Sequence, residues 1–261
     1  MKVAILCGGY GTRIRDVADE LPKPMIPIGG YPILWHIMKY YASFGHSEFI
    51  LCLGYKSNVI KDYFLNYEVR TTDFSITLGE KNSIEVLTSH NEQNWKITFA
   101  ETGLDSMTGT RIKKIQKYIS PGESFMLTYG DGLSNINIDK LIAYHNSHGK
   151  TLTLTGVKPA GRFGEIMSNS KGAITEFKEK PEATVARING GFFVANYSLF
   201  KFIDDTRDDV VFEQEPMNNL VEHQELMQFD HDGFWQPMDT MREYKMLNKM
   251  YFENKAAWKV W

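Results

Sequence analysis

The sequence predicts an α/β protein in which a mixed, mostly parallel sheet carries helices on both faces. Short runs rich in Val, Ile and Phe alternate along the chain with segments whose apolar residues recur at helical spacing. The run 49–53 is apolar throughout, which is typical of a strand buried on both faces of a sheet, and 125–129 is apolar apart from Thr128. No repeat or linker interrupts this alternation, so we predict a single domain over residues 1–261.

Each predicted element has its own signal in the chain. The first strand covers 3–6 and runs into a glycine-rich loop, and Thr108 is a candidate N-cap for a helix over about 108–119. Further strands are predicted at 49–53, 125–129, 152–157, 173–177 and 191–195, and further helices near 33–44, 59–64, 216–223 and 240–254.

The segment from about 74 to 100 has a different pattern. Apolar and polar residues alternate there, as in Ser75–Leu78 and Lys96–Phe99, and the polar run 91–94 interrupts the alternation. Alternation is typical of antiparallel strands with one solvated face. We therefore predict an antiparallel hairpin region, about 74–100, inserted into the α/β core.

The composition excludes several classes of protein. Hydrophobic residues make up 43% and charged residues 23%, as in ordinary globular proteins. Lys and Arg number 29 against 32 Asp and Glu, and this net charge of −3 argues against nucleic acid as a partner. No apolar run approaches the roughly 20 residues that cross a bilayer, so no membrane contact is predicted. Two cysteines, Cys7 and Cys52, are too few for a disulfide framework and favour a cytoplasmic protein with buried thiols.

The most informative segment is Gly8-Gly9-Tyr10-Gly11-Thr12-Arg13, directly after the first strand. Glycines let the backbone approach a phosphate or a base closely. A dinucleotide-binding loop would need a third glycine where Ile14 stands, and a Walker loop would need a Gly-Lys-Ser/Thr that is missing. A third interpretation joins the loop to two cations, Arg13 and Lys23, that would neutralise a polyphosphate under attack. Prolines on both sides restrain Lys23, although a turn with a surface lysine is the alternative.

Longer stretches of the chain resemble a known enzyme family. The segment Leu6–Arg13 followed by Lys23-Pro24-Met25 is similar to the signature of the sugar-1-phosphate nucleotidyltransferases, and 28–38 most resembles their cytidylyltransferase branch. Further matching blocks follow in order at 106–111, 128–132, 161–164, 179–181, 189–193 and 233–240. The resemblance implies the Rossmann-like nucleotide-diphospho-sugar transferase fold. It also implies transfer of a cytidylyl group from CTP to α-D-glucose 1-phosphate, giving CDP-glucose for deoxysugar and cell-surface polysaccharide synthesis.

The resemblance assigns roles to individual residues. It implies that Arg13, Lys23 and Asp131 are catalytic and that Asp131 and Asp239 bind Mg²⁺, a cation that commonly takes one or two carboxylates beside phosphate oxygens. The residues implied for nucleotide binding are Leu6, Gly8, Gly9, Gly11, Thr12, Arg13, Lys23, Ser106, Thr108, Gly109, Arg111 and Gly130. Those implied for the sugar phosphate are Tyr129, Glu179, Lys180, Asn189 and Gly190.

Other interpretations stay open at this stage. Asp131 precedes a glycine and Asp-Gly is a common turn dipeptide, Lys180 is also compatible with an exposed strand end, and Tyr129 with a core position. Competing functions are the same chemistry on another nucleotide or sugar, as in thymidylyl- or uridylyltransferases, and a non-catalytic sensor of sugar nucleotides. The resemblance implies that the hairpin region contacts other subunits, which predicts a homo-oligomer.

Overall fold

The computed structural model describes residues 1–11, 21–79, 83–158, 165–168, 173–178 and 186–261. The strands are β1 Val3–Leu6, β2 Pro27–Ile28, β3 Tyr31–Pro32, β4 Glu48–Leu53, β5 Phe74–Ile76, β6 Ile84–Val86, β7 Lys96–Glu101, β8 Ser124–Tyr129, β9 Gly132–Ser134, β10 Leu152–Val157, β11 Glu165–Ser168, β12 Ile174–Lys178, β13 Ile188–Asn189, β14 Phe193–Asn196, β15 Leu226–His231 and β16 Trp235–Pro237. The α-helices are α1 Ile33–Ser43, α2 Ser57–Leu65, α3 Tyr67–Thr71, α4 Thr108–Lys114, α5 Ile138–His148, α6 Glu215–Glu222 and α7 Met241–Phe252. Short 3-10 helices lie at Lys23–Met25, Gln116–Tyr118 and Tyr197–Phe202.

Within these residues, one mixed sheet of eight strands organises the molecule. Strands β4 and β8 flank β1 in parallel, and β7 pairs in parallel with the outer side of β4. Beyond β8 the sheet continues through antiparallel β14 and β10, with β13 antiparallel and β15 parallel to β10. The carboxyl ends of β1, β4 and β8 therefore meet at one edge of the sheet, and the predicted mixed, mostly parallel sheet is confirmed.

Each face of this sheet has its own hydrophobic core. Val3 and Ile5 of β1 face a cluster with α1, α5 and α7, whereas Ala4 and Leu6 face a cluster with α4 and α6. This follows from the alternation of side chains along a strand. Helices thus cover both faces, as predicted. Cys7 and Cys52 are free and buried on opposite faces, and burial raises the pKa of both thiols.

The hairpin region is shorter than predicted. Strands β5 and β6 pair in antiparallel register, with Phe74 opposite Val86. Lys96–Glu101 does not belong to this hairpin, because it forms β7 and pairs in parallel with β4 along its whole length. The prediction for Lys96–Phe99 is wrong because an edge strand with a partly solvated face alternates in the same way as a hairpin strand.

The predicted Thr108 cap is also wrong. Helix α4 begins at Thr108, and the N-cap is Met107, whose side chain makes no capping hydrogen bond. The Thr108 hydroxyl is engaged by Glu213, a residue far away in sequence. The helix ends at Lys114, so the predicted helix over 108–119 is a short α-helix followed by a 3-10 turn.

Helix α1 carries a histidine buried among aromatic rings. His36 Nε2 lies 2.8 Å from the Ile28 carbonyl oxygen, and the Trp258 indole N–H donates to Nδ1 over 3.3 Å. Because Nδ1 accepts a hydrogen bond, the ring is neutral and its proton is on Nε2, where it donates to Ile28. Burial lowers the pKa of His36 from 6.5 to about 4.

We expect acid to destabilise the protein through His36. Between pH 6.5 and pH 4 the unfolded chain takes up a proton at His36 that the folded chain does not. The free energy of unfolding therefore decreases as the pH is lowered. The loss over this window is about 3 kcal/mol, at 1.36 kcal/mol per pKa unit. Urea unfolding at pH 7, 6 and 5 would measure this loss for the wild type and for His36→Gln. The free energy of unfolding of the variant should depend less steeply on pH. His223→Gln, at an exposed position, is the matched control, and equal slopes for wild type and His36→Gln would contradict the prediction.

No helix in the described part of the chain combines the length and apolar character needed to span a membrane.

Candidate active site

A cavity of about 600 Å³ opens at the sheet edge where β1 and β8 end. The glycine-rich loop leaves β1 at this edge, and Gly130 and Asp131 leave β8. Open α/β sheets bind ligands at such carboxyl ends. Among the described residues, the cavity is lined by Leu6–Gly11, Lys23, Pro24, Leu104–Thr108, Arg111, Tyr129–Asp131 and Asp239.

Lys23 lies between two carboxylates in this cavity. Its Nζ is 2.5 Å from Asp131 Oδ2 and 2.6 Å from Asp239 Oδ1. The side chain of Lys23 is 12% exposed, and those of the two aspartates are 29% and 25% exposed. Burial alone would lower the pKa of the Lys23 ammonium, but Asp131, followed by Asp239, raises that pKa above its usual value. The lysine is therefore firmly cationic.

Local structure places all three side chains. Lys23 begins a 3-10 helix, with Pro22 at its N-cap and Pro24 in its first turn. Asp131 directly precedes β9, and β16 pairs with β9 so that Pro237 lies opposite Gly132. This pairing brings Asp239 beside Asp131. The capping box of α7 fixes it further, because Glu243 accepts the backbone N–H of Asp239 over 2.7 Å.

The two carboxylates fit a magnesium ion. Both bonded oxygens lie within 2.6 Å of one nitrogen, so they can be no more than about 5 Å apart. In the described part of the chain, no cluster of three or more His, Cys, Asp or Glu residues could hold a metal by itself. Two hard oxygen donors without a closed cage suit Mg²⁺ that is shared with phosphate oxygens.

Arg111 is a hydrogen-bond centre beneath the glycine loop. Its guanidinium donates to the carbonyl oxygens of Leu53, Gly103, Gly8 and Leu104, and to the Thr102 hydroxyl, over 2.7–3.1 Å. These partners come from the ends of β4 and β7 and from the loops that wall the cavity. Burial lowers the pKa of Arg111, although a guanidinium stays charged in proteins.

The glycines at Gly8 and Gly54 make room for this guanidinium. A Cβ atom would lie 2.2 Å from Arg111 Nη1 at Gly8 and 2.5 Å from the same atom at Gly54. Only glycine fits at either position without moving Arg111. The loop therefore uses at least one of its glycines to approach a buried side chain closely.

A second network connects two residues that line the cavity, Thr108 and Tyr129. Glu213 accepts hydrogen bonds from the hydroxyls of Thr108 and Tyr129, and the Asn189 side-chain amide donates to the Tyr129 hydroxyl over 3.3 Å. Burial, followed by the Glu213 carboxylate, raises the pKa of Tyr129, which therefore keeps its proton. Neither Glu213 nor Asn189 lines the cavity itself.

A model of the nucleotidyl transferase family matches residues 2–253 of the chain. The chain belongs to the nucleotidyl transferase family. Its predicted family and enzyme class are thereby confirmed.

Two relatives match this nucleotidyl transferase over its full length. The glucose-1-phosphate cytidylyltransferase of Salmonella typhimurium is 46% identical over 261 residues, and the probable glucose-1-phosphate cytidylyltransferase of Bacillus subtilis is 44% identical; both alignments cover 100% of each chain. The solved structure of HddC from Yersinia pseudotuberculosis complexed with GMP-PN has a TM-score of 0.67 at 24% identity. That alignment covers 96% of this chain and 99% of the other, and the likeness shows the fold alone.

The predicted site residues of the nucleotidyl transferase fall into three groups. Those that line the cavity are Leu6, Gly8, Gly9, Gly11, Lys23, Ser106, Thr108, Arg111, Tyr129, Gly130, Asp131 and Asp239. Gly109, Asn189 and Gly190 do not line it. Gly109 packs against Val210, Asn189 contacts the lining residue Tyr129, and the Gly190 carbonyl oxygen accepts the Trp235 indole N–H. Thr12, Arg13, Glu179 and Lys180 lie outside the described residues.

Sequence reasoning missed several residues of the nucleotidyl transferase cavity and its walls, and two of them, Asp105 and Glu213, are carboxylates. Asp105 accepts a hydrogen bond from Tyr10 over 2.6 Å and so joins the glycine loop to the facing wall. Glu213 lies near no catalytic motif, and the acidic run that precedes it gives no local signal. A carboxylate between two hydroxyls becomes visible only when three distant segments are brought together.

Proposed function

We propose that this nucleotidyl transferase transfers a cytidylyl group from CTP to α-D-glucose 1-phosphate, giving CDP-glucose and pyrophosphate. The observation that carries the reaction type is the Lys23 ammonium between Asp131 and Asp239 in a cavity walled by a glycine loop. The choice of substrates is supported by the full-length identity with the Salmonella typhimurium and Bacillus subtilis relatives.

The proposed reaction is an in-line displacement at the α-phosphorus of CTP. A phosphate oxygen of glucose 1-phosphate attacks, the bond to the bridging oxygen breaks, and pyrophosphate leaves. Negative charge is spread over the phosphoryl oxygens in the transition state, so fixed cations stabilise it more than they stabilise the bound substrates. Lys23 is the described residue best placed to supply such a cation, since proline restraint and two carboxylates hold its ammonium in the cavity.

We propose further roles from the resemblance to the family. Asp131 and Asp239 hold Mg²⁺, which when bound neutralises charge on the phosphate oxygens. Arg13 is a second cation for the triphosphate, with Thr12 beside it. Glu179 and Lys180 serve the sugar phosphate, and Asn189 and Gly190 serve the sugar hydroxyls.

A pyrophosphate-release assay with glucose 1-phosphate and each of CTP, dTTP, UTP, ATP and GTP tests the proposal. We expect the highest kcat/KM with CTP, and a panel of sugar 1-phosphates with CTP should favour α-D-glucose 1-phosphate. Faster turnover with dTTP or UTP would overturn the assignment in favour of another nucleotide. No release with any of the five, by protein that binds CDP-glucose, would instead support the sensor function.

We propose that the protein is a homo-oligomer assembled through its hairpin, β5 and β6. Six apolar side chains are exposed on and beside these strands: Phe74, Ile76, Leu78, Ile84, Val86 and Leu87. A monomer rarely leaves such a patch in water, and a second copy would cover it with an equivalent apolar surface.

Light scattering should therefore give a mass that is a multiple of 30.0 kDa. The double variant Ile76→Lys/Ile84→Lys should shift the mass toward one chain, because it places charges in the proposed interface. Val260→Lys, at an exposed apolar position near the C-terminus, is the control. A wild-type mass near 30 kDa would contradict the proposal. The predicted cytoplasmic location and the use of CDP-glucose in deoxysugar and lipopolysaccharide O-antigen synthesis stay predictions.

A further inference from the structure

Glu213 joins the two walls of the cavity through its carboxylate. Oε2 accepts the hydroxyl of Thr108 over 2.7 Å, and Oε1 accepts the hydroxyl of Tyr129. Thr108 begins α4, on the wall assigned to the nucleotide, whereas Tyr129 ends β8, beside Asp131. One side chain therefore connects the groups proposed to hold the two substrates.

The backbone on either side of Glu213 is anchored. Phe212 is fully buried, and its ring packs against that of Phe193 with the centroids 5.7 Å apart. The Phe212 N–H donates to the Thr108 hydroxyl oxygen over 2.9 Å. Glu213 itself is exposed, so its position comes from these neighbours and from its two hydroxyl partners.

The network has a fixed direction. A carboxylate only accepts, so both hydroxyls must donate their single protons to Glu213. The Tyr129 oxygen is then left as an acceptor, and Asn189 Nδ2 donates to it over 3.3 Å. Exchanging the oxygen and nitrogen of the Asn189 amide would break a second hydrogen bond, because its Oδ1 accepts the Gly191 N–H over 2.9 Å. Every hydrogen bond in this chain of groups thus points toward Glu213.

This direction defines what the sugar side can recognise. Tyr129 offers acceptor capacity, and Asn189 retains a second N–H that no described residue accepts. An acceptor next to a donor matches a sugar hydroxyl, which donates to one group and accepts from the other. A site built in this way rejects an analogue that lacks the hydroxyl, since its own polar groups are then left unpaired.

We propose that Glu213 is a positioning residue for the sugar substrate and that it acts through Tyr129. By accepting the Tyr129 proton, it keeps the Tyr129 oxygen as an acceptor beside the Asn189 donor, and this pair recognises a sugar hydroxyl. This inference rests on the proposed function. It assigns to Glu213 no contact with the reacting phosphates. Thr108, on the nucleotide side, keeps the Phe212 N–H as a second partner, so the effect should appear in the affinity for the sugar end and not in the affinity for the nucleotide.

Glu213→Gln tests the proposal with little change of shape. A glutamine has an acceptor oxygen at one end of the amide and a donor NH₂ group at the other, so one of the two hydroxyls must reverse or lose its partner. We expect KM for glucose 1-phosphate to rise about tenfold, in line with one lost hydrogen bond of about 1.4 kcal/mol, while KM for CTP stays within twofold. Calorimetry should show the same weakening for CDP-glucose and no weakening for CDP. Glu215→Gln, two residues away and paired with Arg207, is the matched control.

A variant of Tyr129 tests whether Glu213 acts through this residue. Tyr129→Phe should weaken CDP-glucose binding by a similar factor. The double variant with Glu213→Gln should bind CDP-glucose no more weakly than the single variant that has the lower affinity. Additive losses, unchanged KM for glucose 1-phosphate in Glu213→Gln, or an equal rise in KM for CTP would each overturn the proposal. Wild-type protein that neither turns over CTP nor binds CDP-glucose would overturn the proposed function itself, which separates the two failures.

Discussion

Replacing Lys23 with alanine should lower the rate of pyrophosphate release by about 100- to 1,000-fold, the usual effect of removing one preorganised group that stabilises transition-state charge. The reason is geometric, because this ammonium is held within 2.6 Å of both proposed magnesium ligands, where the triphosphate would lie. Single-turnover kinetics with CTP and glucose 1-phosphate would measure the loss in the chemical step.

The control for this variant is Lys96→Ala, which removes an exposed lysine that is also paired with a carboxylate. It should keep the wild-type rate of pyrophosphate release.

A second measurement distinguishes the loss of a cation from a damaged fold. Without Lys23, Asp131 and Asp239 face each other, so Mg²⁺ should raise the Tm of Lys23→Ala more than that of the wild type. Wild-type turnover by Lys23→Ala would refute the catalytic role.

Arg111→Lys should destabilise the protein by about 3 kcal/mol although it keeps the charge. Lysine has a single ammonium and cannot reproduce a planar fork, so several of the carbonyls now bonded to Arg111 would lose their partner. Urea unfolding at pH 7 would measure the loss, and Arg242→Lys, on the exposed side of α7, is the matched control. An unchanged stability with a raised KM for CTP would contradict this prediction.

The hydrogen bonds of Arg111 also change the interpretation of its predicted role in nucleotide binding. The resemblance places Arg111 among the nucleotide-binding residues, and the side chain does line the cavity. Its donors are nevertheless occupied by Leu53, Gly8 and the 102–104 segment. We therefore propose that it shapes the nucleotide site chiefly by holding the glycine loop against β4 and β7.

Much of the fold is predictable because its signals are local. Buried parallel strands such as 49–53 and 125–129 need continuous apolar runs, and α1 needs apolar residues at helical spacing. The glycine loop and Lys23 are predictable for the same reason, since chain restraint and charge lie within a few residues of each other.

The features that sequence reasoning missed depend on contacts between distant segments. Strand β7 alternates like a hairpin strand, and only its partner, β4, shows that it belongs to the main sheet. Glu213 accepts hydrogen bonds from Thr108 and Tyr129, which are 105 and 84 residues away. A propensity or a motif read along the chain cannot contain such information.

The pairing of β9 with β16 makes the candidate active site dependent on the last part of the chain. Lys23 and Asp239 are 216 residues apart, and bringing them together closes a long loop of the chain. A polypeptide that stops before β16, through interrupted translation or proteolysis, still contains the glycine loop, Lys23 and Asp131. Such a fragment has no second carboxylate, and under the proposed mechanism synthesis of the chain through Asp239 is therefore a condition for turnover.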